Sequence, residues 1–176
     1  EPISKLANIG LYYMRDWRLL FEGVNDTLTS EPGPSGEFYL TDAFQYMVDH
    51  GAKIQVVPVE GWYDCGKLDT LIDTNRFLLE GGRAGVDDSA TVEASTLVQP
   101  VRIEGGASVV GSTVGPNVTI GADARVEGST LVDTMVGRSS EITGSELTGS
   151  LVGPNSRVHG FSGKLSVADD TEIDRG

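Results

Sequence analysis

The chain has 176 residues, of which 39% are hydrophobic, so it can bury one or two modest cores. Its 26 acidic and 13 basic residues give a formal net charge of −13, which disfavours non-specific binding to nucleic acid or to an anionic membrane. Cys65 is the only cysteine, no apolar run is long enough to span a bilayer, and no signal peptide opens the chain; together these features predict a cytoplasmic protein without an internal disulfide.

The first third of the chain predicts a mixed α/β structure. Residues 6–14, LANIGLYYM, indicate a buried strand because their second half is rich in β-forming residues. Asp16 is a suitable cap for a short helix over residues 17–22, which Gly23 would end. Residues 24–36 are rich in Asn, Thr, Ser, Pro and Gly and therefore predict an exposed loop.

Two more helices are predicted before a change of composition. Thr41 precedes an apolar helical face that would end at Gly51, and residues 54–59 predict a strand near a sheet edge because they contain a proline. A third helix follows from the helical spacing of Leu68, Leu71, Ile72, Asn75 and Leu79. Eleven of the twelve aromatic residues lie before residue 82, so we place a domain boundary between residues 1–82 and residues 83–176.

The remainder of the chain carries a hexapeptide period. Branched apolar residues recur mostly five or six positions apart from Ile103 onward, and a serine-led triplet returns every sixteen or seventeen residues. Neither an amphipathic helix nor a long antiparallel strand has this period. Three short faces per coil are typical of a parallel β-helix, and about five coils would fit, whereas a flat sandwich would not keep so regular a spacing. The expected inward residues are Val92, Ile103, Val109, Val114, Ile120, Val126, Leu131, Val136, Ile142, Leu147, Val152 and Val158.

Three blocks in order, NIGLYYM, GEFYLTDA and EGWYDCGK, followed by a helix and hexapeptide repeats, resemble the C-terminal part of sugar-1-phosphate nucleotidyltransferases of the glucose-1-phosphate thymidylyltransferase type. The resemblance implies an α/β fragment of a nucleotide-diphospho-sugar transferase domain followed by a left-handed parallel β-helix. It also implies a cytoplasmic enzyme that joins a sugar 1-phosphate to a nucleoside triphosphate with release of pyrophosphate. The family's glycine-rich N-terminal loop is not in this sequence, so the chain alone should be inactive.

By resemblance, Asp64 would be one of two carboxylates that hold Mg²⁺, and the other would lie outside this chain. Trp62 and Tyr63 would fix the turn and form a wall of the pocket. The alternative from the local sequence is that Asp64 caps the helix that begins near Lys67.

The other expected site residues are Asn8, Gly10 and Glu37. Asn8 corresponds to a sugar-contacting position and could alternatively be a turn residue, while Gly10 would allow close approach of the backbone. Glu37 is expected beside the same pocket, and Asp42 is expected mainly in the first turn of a helix. Ser35 stands where several relatives carry a phosphate-binding arginine, which leaves phosphate binding to the missing half or changes the substrate preference.

Two alternative functions stay open. His159, the only histidine of the repeat region, could serve a β-helix that transfers an acyl group from acyl-CoA, although a solvent-facing corner histidine is the simpler interpretation. The chain could also be a purely structural module. In either case, stacked prisms with apolar faces predict a homo-oligomer.

Overall fold

A computed structural model of the chain describes residues 6–175. The chain divides into two compact units, Glu1–Trp62 and Tyr63–Gly176. This division lies earlier than the boundary that composition indicates at residue 82, because the third helix belongs to the second unit and packs on its strands. Within the described part, no helix is both long enough and apolar enough to cross a membrane.

The first unit is built on two helices, α1 (Trp17–Thr29) and α2 (Leu40–Asp49). Asp16 caps α1 as predicted, accepting a hydrogen bond from the Leu19 amide at 3.1 Å. The predicted end of this helix at Gly23 is wrong, since α1 continues to Thr29, into the expected loop. Gly23 is buried against α2 instead, and a Cβ there would lie only 2.8 Å from the carbonyl oxygen of Ala43. The glycine therefore permits close helix contact rather than ending the helix.

The second predicted helix is confirmed as α2, which ends at Asp49, with His50 as its C-cap and Gly51 at a φ of +90°. The two predicted strands of this unit are wrong. Residues 6–14 and 54–59 have no regular secondary structure, and Leu11, Tyr13 and Val57 are 76–89% exposed. A strand needs the backbone groups of a neighbouring strand, and within the described residues no strand occurs before residue 85.

The second unit begins with α3 (Leu68–Leu78), as predicted, and a π-helical turn (Leu79–Arg83). In the described part of the chain, seventeen strands then wind into three parallel sheets. Sheet A contains β1 (Gly85–Val86), β4 (Val101–Ile103), β7 (Val118–Ile120), β10 (Met135–Val136), β13 (Leu151–Val152) and β16 (Ser166–Val167). Sheet B contains β2 (Thr91–Glu93), β5 (Ser108–Val110), β8 (Arg125–Glu127), β11 (Glu141–Thr143), β14 (Arg157–His159) and β17 (Glu172–Asp174). Sheet C contains β3 (Thr96–Leu97), β6 (Thr113–Val114), β9 (Thr130–Val132), β12 (Glu146–Thr148) and β15 (Ser162–Gly163).

Every strand pairs in parallel with the strand three places along the chain, which defines a three-sided parallel β-helix. Two sheets have six strands and one has five, so the estimate of about five coils is one coil short. The predicted inward residues are confirmed as the core, with Val92 only partly buried at the first coils and the others 3% exposed or less. The left hand of this β-helix stays a prediction from resemblance.

The serine-led triplets form a buried ladder at one corner of the β-helix. The Oγ of Ser112 accepts from the Ser129 amide at 3.1 Å, and the Oγ of Ser129 accepts from the Ser145 amide at 3.1 Å. Each hydroxyl also donates to the carbonyl two residues earlier, at 2.8 Å for both Ser112 and Ser129. A small hydroxyl side chain thus links successive coils at a corner where a strand ladder cannot continue.

Candidate functional site

The turn that carries Asp64 is held by the carboxylate of this residue. Oδ1 of Asp64 accepts a hydrogen bond from the Gly66 amide at 3.0 Å. A Cβ at Gly66 would lie 3.2 Å from that oxygen, so a glycine suits this tight approach. Asp64 itself is exposed and presents its carboxylate to solvent at the start of the second unit.

The alternative role of Asp64 as a helix cap is wrong. The N-cap of α3 is Lys67, and the hydroxyl of Thr70 accepts from the Lys67 amide at 3.3 Å and donates to the Lys67 carbonyl at 3.0 Å. Because Thr70 forms these bonds at the start of the helix, the Asp64 side chain is not used to begin it. The observed role of the carboxylate is to close its own turn on the Gly66 amide.

Two contacts attach the turn to α3. The ring of Tyr63 stacks on Phe77 with centroids 4.1 Å apart and an interplanar angle of 23°. The thiol of Cys65, although exposed, lies 3.7 Å from the Thr74 hydroxyl. Tyr63 thus fixes the turn, as the resemblance implied, by stacking on the helix that follows.

A group of polar residues, which we call the corner cluster, attaches α3 to the β-helix; it consists of Asn75, Arg76, Asn117, Thr119 and Asp133. Asn75 is only 7% exposed, and both ends of its amide are paired. Its Nδ2 donates to the Asn117 carbonyl at 3.1 Å, and its Oδ1 accepts from the Thr119 hydroxyl at 2.6 Å. The sequence predicted Asn75 only as part of an apolar helical face, so this role was missed.

Asp133 is the charged centre of the corner cluster. Its Oδ1 accepts from Arg76 Nη2 at 2.8 Å and from Asn117 Nδ2 at 2.9 Å. Burial acts to raise the pKa of Asp133, but the hydrogen bonds from Arg76 and Asn117 outweigh it, so the pKa lies below its usual value of 3.8. The hydrogen bond to Asp133 in turn raises the pKa of Arg76. Asn117 and Asp133 both have a positive φ, of 60° and 46°, a backbone conformation that asparagine and aspartate adopt more readily than most residues.

In the first unit, Asn8 and Gly10 form a local turn. The Gly10 amide donates to Asn8 Oδ1 at 2.8 Å, and Asn8 Nδ2 donates to the hydroxyl of Tyr12. Gly10 has a φ of +78°, and the space at its Cβ position is open. The backbone conformation, rather than close packing, therefore accounts for a glycine here. The turn role of Asn8 is therefore present, and its contact with a sugar stays a prediction.

Glu37 and Trp62 also belong to the first unit, whereas Asp64 belongs to the second. The backbone carbonyl of Glu37 accepts from the Gly33 amide at 3.0 Å, which closes the loop before α2. Trp62 is 60% exposed. Asp42 lies in the first turn of α2, as predicted.

The described part of this chain supplies only some of the ligands that a metal ion would need, and the others would come from outside the chain. Within residues 6–175, no group of three His, Cys, Asp or Glu side chains is placed to hold a metal ion. Mg²⁺ takes hard oxygen ligands and keeps several waters, so one exposed carboxylate such as that of Asp64 fits half of the expected pair. Magnesium binding therefore stays a prediction.

His159 lies on the outer face of β14, exposed, beside a shallow groove of about 210 Å³. Glu141, Arg157 and Glu172 line the same groove. The histidine faces solvent, as predicted, but it lies in a strand rather than at a corner.

Sequence comparison finds relatives among nucleotide-sugar enzymes. The chain is 31% identical over 148 residues to a glucose-1-phosphate thymidylyltransferase of Streptomyces antibioticus, a match that covers 74% of this chain and 40% of the relative. It is 35% identical over 98 residues to the low-salt glycan biosynthesis nucleotidyltransferase Agl11 of Haloferax volcanii, covering 53% of this chain and 26% of the relative. The resemblance to sugar-1-phosphate nucleotidyltransferases is therefore confirmed over part of the chain.

The chain spans about two fifths of the length of the thymidylyltransferases that it matches. No family model matches it. Among solved structures, a mutant perosamine N-acetyltransferase from Caulobacter crescentus, in complex with CoA and GDP-perosamine, aligns at a TM-score of 0.29 and 18% identity. That alignment covers 60% of this chain and 68% of the other, and at this TM-score it carries no argument about function.

Proposed function

We propose that this chain is the C-terminal part of a sugar-1-phosphate nucleotidyltransferase, of the glucose-1-phosphate thymidylyltransferase type. In this reaction an oxygen of the sugar 1-phosphate attacks the α-phosphorus of a nucleoside triphosphate, a new P–O bond forms, and the bond to pyrophosphate breaks. The observation that carries the proposal is the sequence similarity to glucose-1-phosphate thymidylyltransferase, which extends over 74% of the chain.

The structure supports a role for Asp64 through its exposure and its separation from helix capping. We propose that Asp64 supplies one of the carboxylate ligands of Mg²⁺, a cation that offsets the charge of the reacting phosphates when bound. Asn8 would hydrogen-bond a sugar hydroxyl, with Gly10, Glu37 and Trp62 at the same substrate. The partners of the reaction are a sugar 1-phosphate and a nucleoside triphosphate, and the parent enzyme acts in the cytoplasm as a homo-oligomer.

The alternatives have less support. Acyl transfer depends on His159, and no contact among residues 6–175 favours that role over a solvent-facing histidine. A purely structural role for the chain is compatible with the fold, and it predicts that Asp64→Asn leaves the turnover of the full-length protein unchanged.

The test is pyrophosphate release by the full-length protein that contains this chain. Glucose 1-phosphate would be supplied with dTTP, UTP, ATP, GTP or CTP, with and without Mg²⁺. We expect Mg²⁺-dependent turnover with at least one nucleotide, and none from residues 1–176 alone. Absence of turnover by the full-length protein with every nucleotide would remove the proposed activity.

The residue assignment needs a separate comparison. Asp64→Asn keeps the shape of the side chain but removes the charge, and we expect a loss of about 100-fold or more in kcat/KM. Asp69→Asn is the matched control, because Asp69 is also an exposed aspartate near the start of α3 and pairs only at the surface with Lys164, at 2.6 Å. Equal activities of the two variants would contradict the role of Asp64.

A further inference from the structure

We propose that the corner cluster is a positioning element for Asp64, so that the β-helix sets the geometry of the metal-binding carboxylate through α3. This inference rests on the proposed function. In this proposal the β-helix contributes to catalysis indirectly, by positioning α3, and none of its residues contacts the substrate.

The first step in the connection runs from the turn to the helix. Tyr63 and Cys65, on either side of Asp64, contact Phe77 and Thr74 respectively. Thr74 and Phe77 are three residues apart, so they lie on one face of α3. The position of that face therefore fixes the position of the Asp64 turn.

The second step runs from the helix to the β-helix. Asn75 and Arg76 lie between Thr74 and Phe77 in sequence. They are the members of the corner cluster on α3, and they bond to Asn117, Thr119 and Asp133 of the β-helix. A single turn of α3 thus holds the Asp64 turn on one side and the β-helix corner on the other. A displacement at the corner would therefore move the residues of α3 that contact the turn.

The corner cluster is better suited to fixing position than the Asp69–Lys164 ion pair, which also joins α3 to the β-helix. Asn75 is buried and has both amide ends paired, and the Asp133 side chain is only 27% exposed. Hydrogen bonds of buried groups demand a defined geometry because an unpaired buried group is costly. By contrast, Asp69 and Lys164 form a pair with side chains 80% and 56% exposed, which constrains α3 little.

The test compares the Mg²⁺ dependence of full-length variants. Asp133→Ala removes the charged centre, and Thr119→Val removes one hydrogen bond to Asn75 with almost no change of shape, so it is the milder variant if the first folds poorly. We expect the Kd for Mg²⁺, measured by titration calorimetry, and the Mg²⁺ concentration for half-maximal activity both to rise about tenfold in Asp133→Ala and severalfold in Thr119→Val, because supporting partners of metal ligands affect metal affinity on this scale. Asp133→Glu should restore part of the loss.

Arg157→Ala is the matched control, since it removes an exposed pair with Glu141, at 3.5 Å, on another face of the β-helix. Its Mg²⁺ dependence should equal that of the wild type. A merely structural corner would lower the amount of folded enzyme and leave the Mg²⁺ requirement of the folded fraction unchanged, and that result would overturn the inference. Failure of the wild type to turn over any substrate would instead overturn the proposed function.

Discussion

The buried serine ladder predicts a large effect from the loss of one oxygen atom. In Ser129→Ala the hydroxyl that accepts from the Ser145 amide at 3.1 Å and donates to the Glu127 carbonyl at 2.8 Å is removed. Ser129 and Ser145 are 4% and 1% exposed, so water cannot replace the lost acceptor without local opening. The fold of the coil otherwise has no reason to change.

The magnitude follows from the group left without a partner. An orphaned buried N–H costs about 1–3 kcal/mol, and deletion of the small hydroxyl adds little cavity, so we expect about 2 kcal/mol of destabilisation. With an m-value of about 2 kcal/mol/M in urea, the midpoint of unfolding should fall by about 1 M.

Urea denaturation followed by far-ultraviolet circular dichroism measures this midpoint. Ser166→Ala is the control, because Ser166 is exposed on β16 and its loss should move the midpoint by less than about 0.3 M. If Ser129→Ala and Ser166→Ala unfold at the same urea concentration, the hydrogen-bonded ladder does not contribute to stability as argued.

Two further predictions concern a glycine of the β-helix and the aspartate of the corner cluster. Gly137→Ala should lower the free energy of unfolding, measured by urea denaturation, by about 1–3 kcal/mol, because a Cβ would lie 2.4 Å from the backbone nitrogen of Pro154. Gly81→Ala is the control, and it should be neutral or stabilising because the space around Gly81 is open. Equal effects of the two variants would refute the steric reason. The lowered pKa of Asp133 means that its stabilisation is present above pH 3.8 and is lost as the pH falls through the folded-state pKa. The stability difference between the wild type and Asp133→Asn should therefore shrink between pH 7 and pH 3, and a constant difference in urea midpoints would contradict this.

The β-helix could be predicted from the sequence because each of its faces needs an inward branched side chain at a fixed interval. Ile120, Val126 and Leu131 show this on consecutive strands, and all three are fully buried. The two strands predicted in the first unit are absent from the structure, because a strand depends on more than its own residues. Apolar residues such as Leu11 and Val57 indicate a strand, but its formation depends on a partner that local sequence does not describe.

The candidate site was predictable only as separate motifs. The Asp64 turn was recognisable from its flanking aromatics and glycines, and the structure adds that this aspartate does not cap α3. The corner cluster was not predictable, because Asn75 and Asn117 are 42 residues apart and their bond depends on how α3 lies on the coils. The hydrogen bonds of a buried asparagine are a property of the packed fold rather than of its neighbours in sequence.

The coordination of the metal in the full-length protein tests the role of Asp64 most directly. A crystal structure with Mg²⁺, a nucleoside triphosphate and a sugar 1-phosphate should show a carboxylate oxygen of Asp64 about 2.1 Å from the metal. A bound Mg²⁺ whose carboxylate ligands all come from other residues would contradict the central claim.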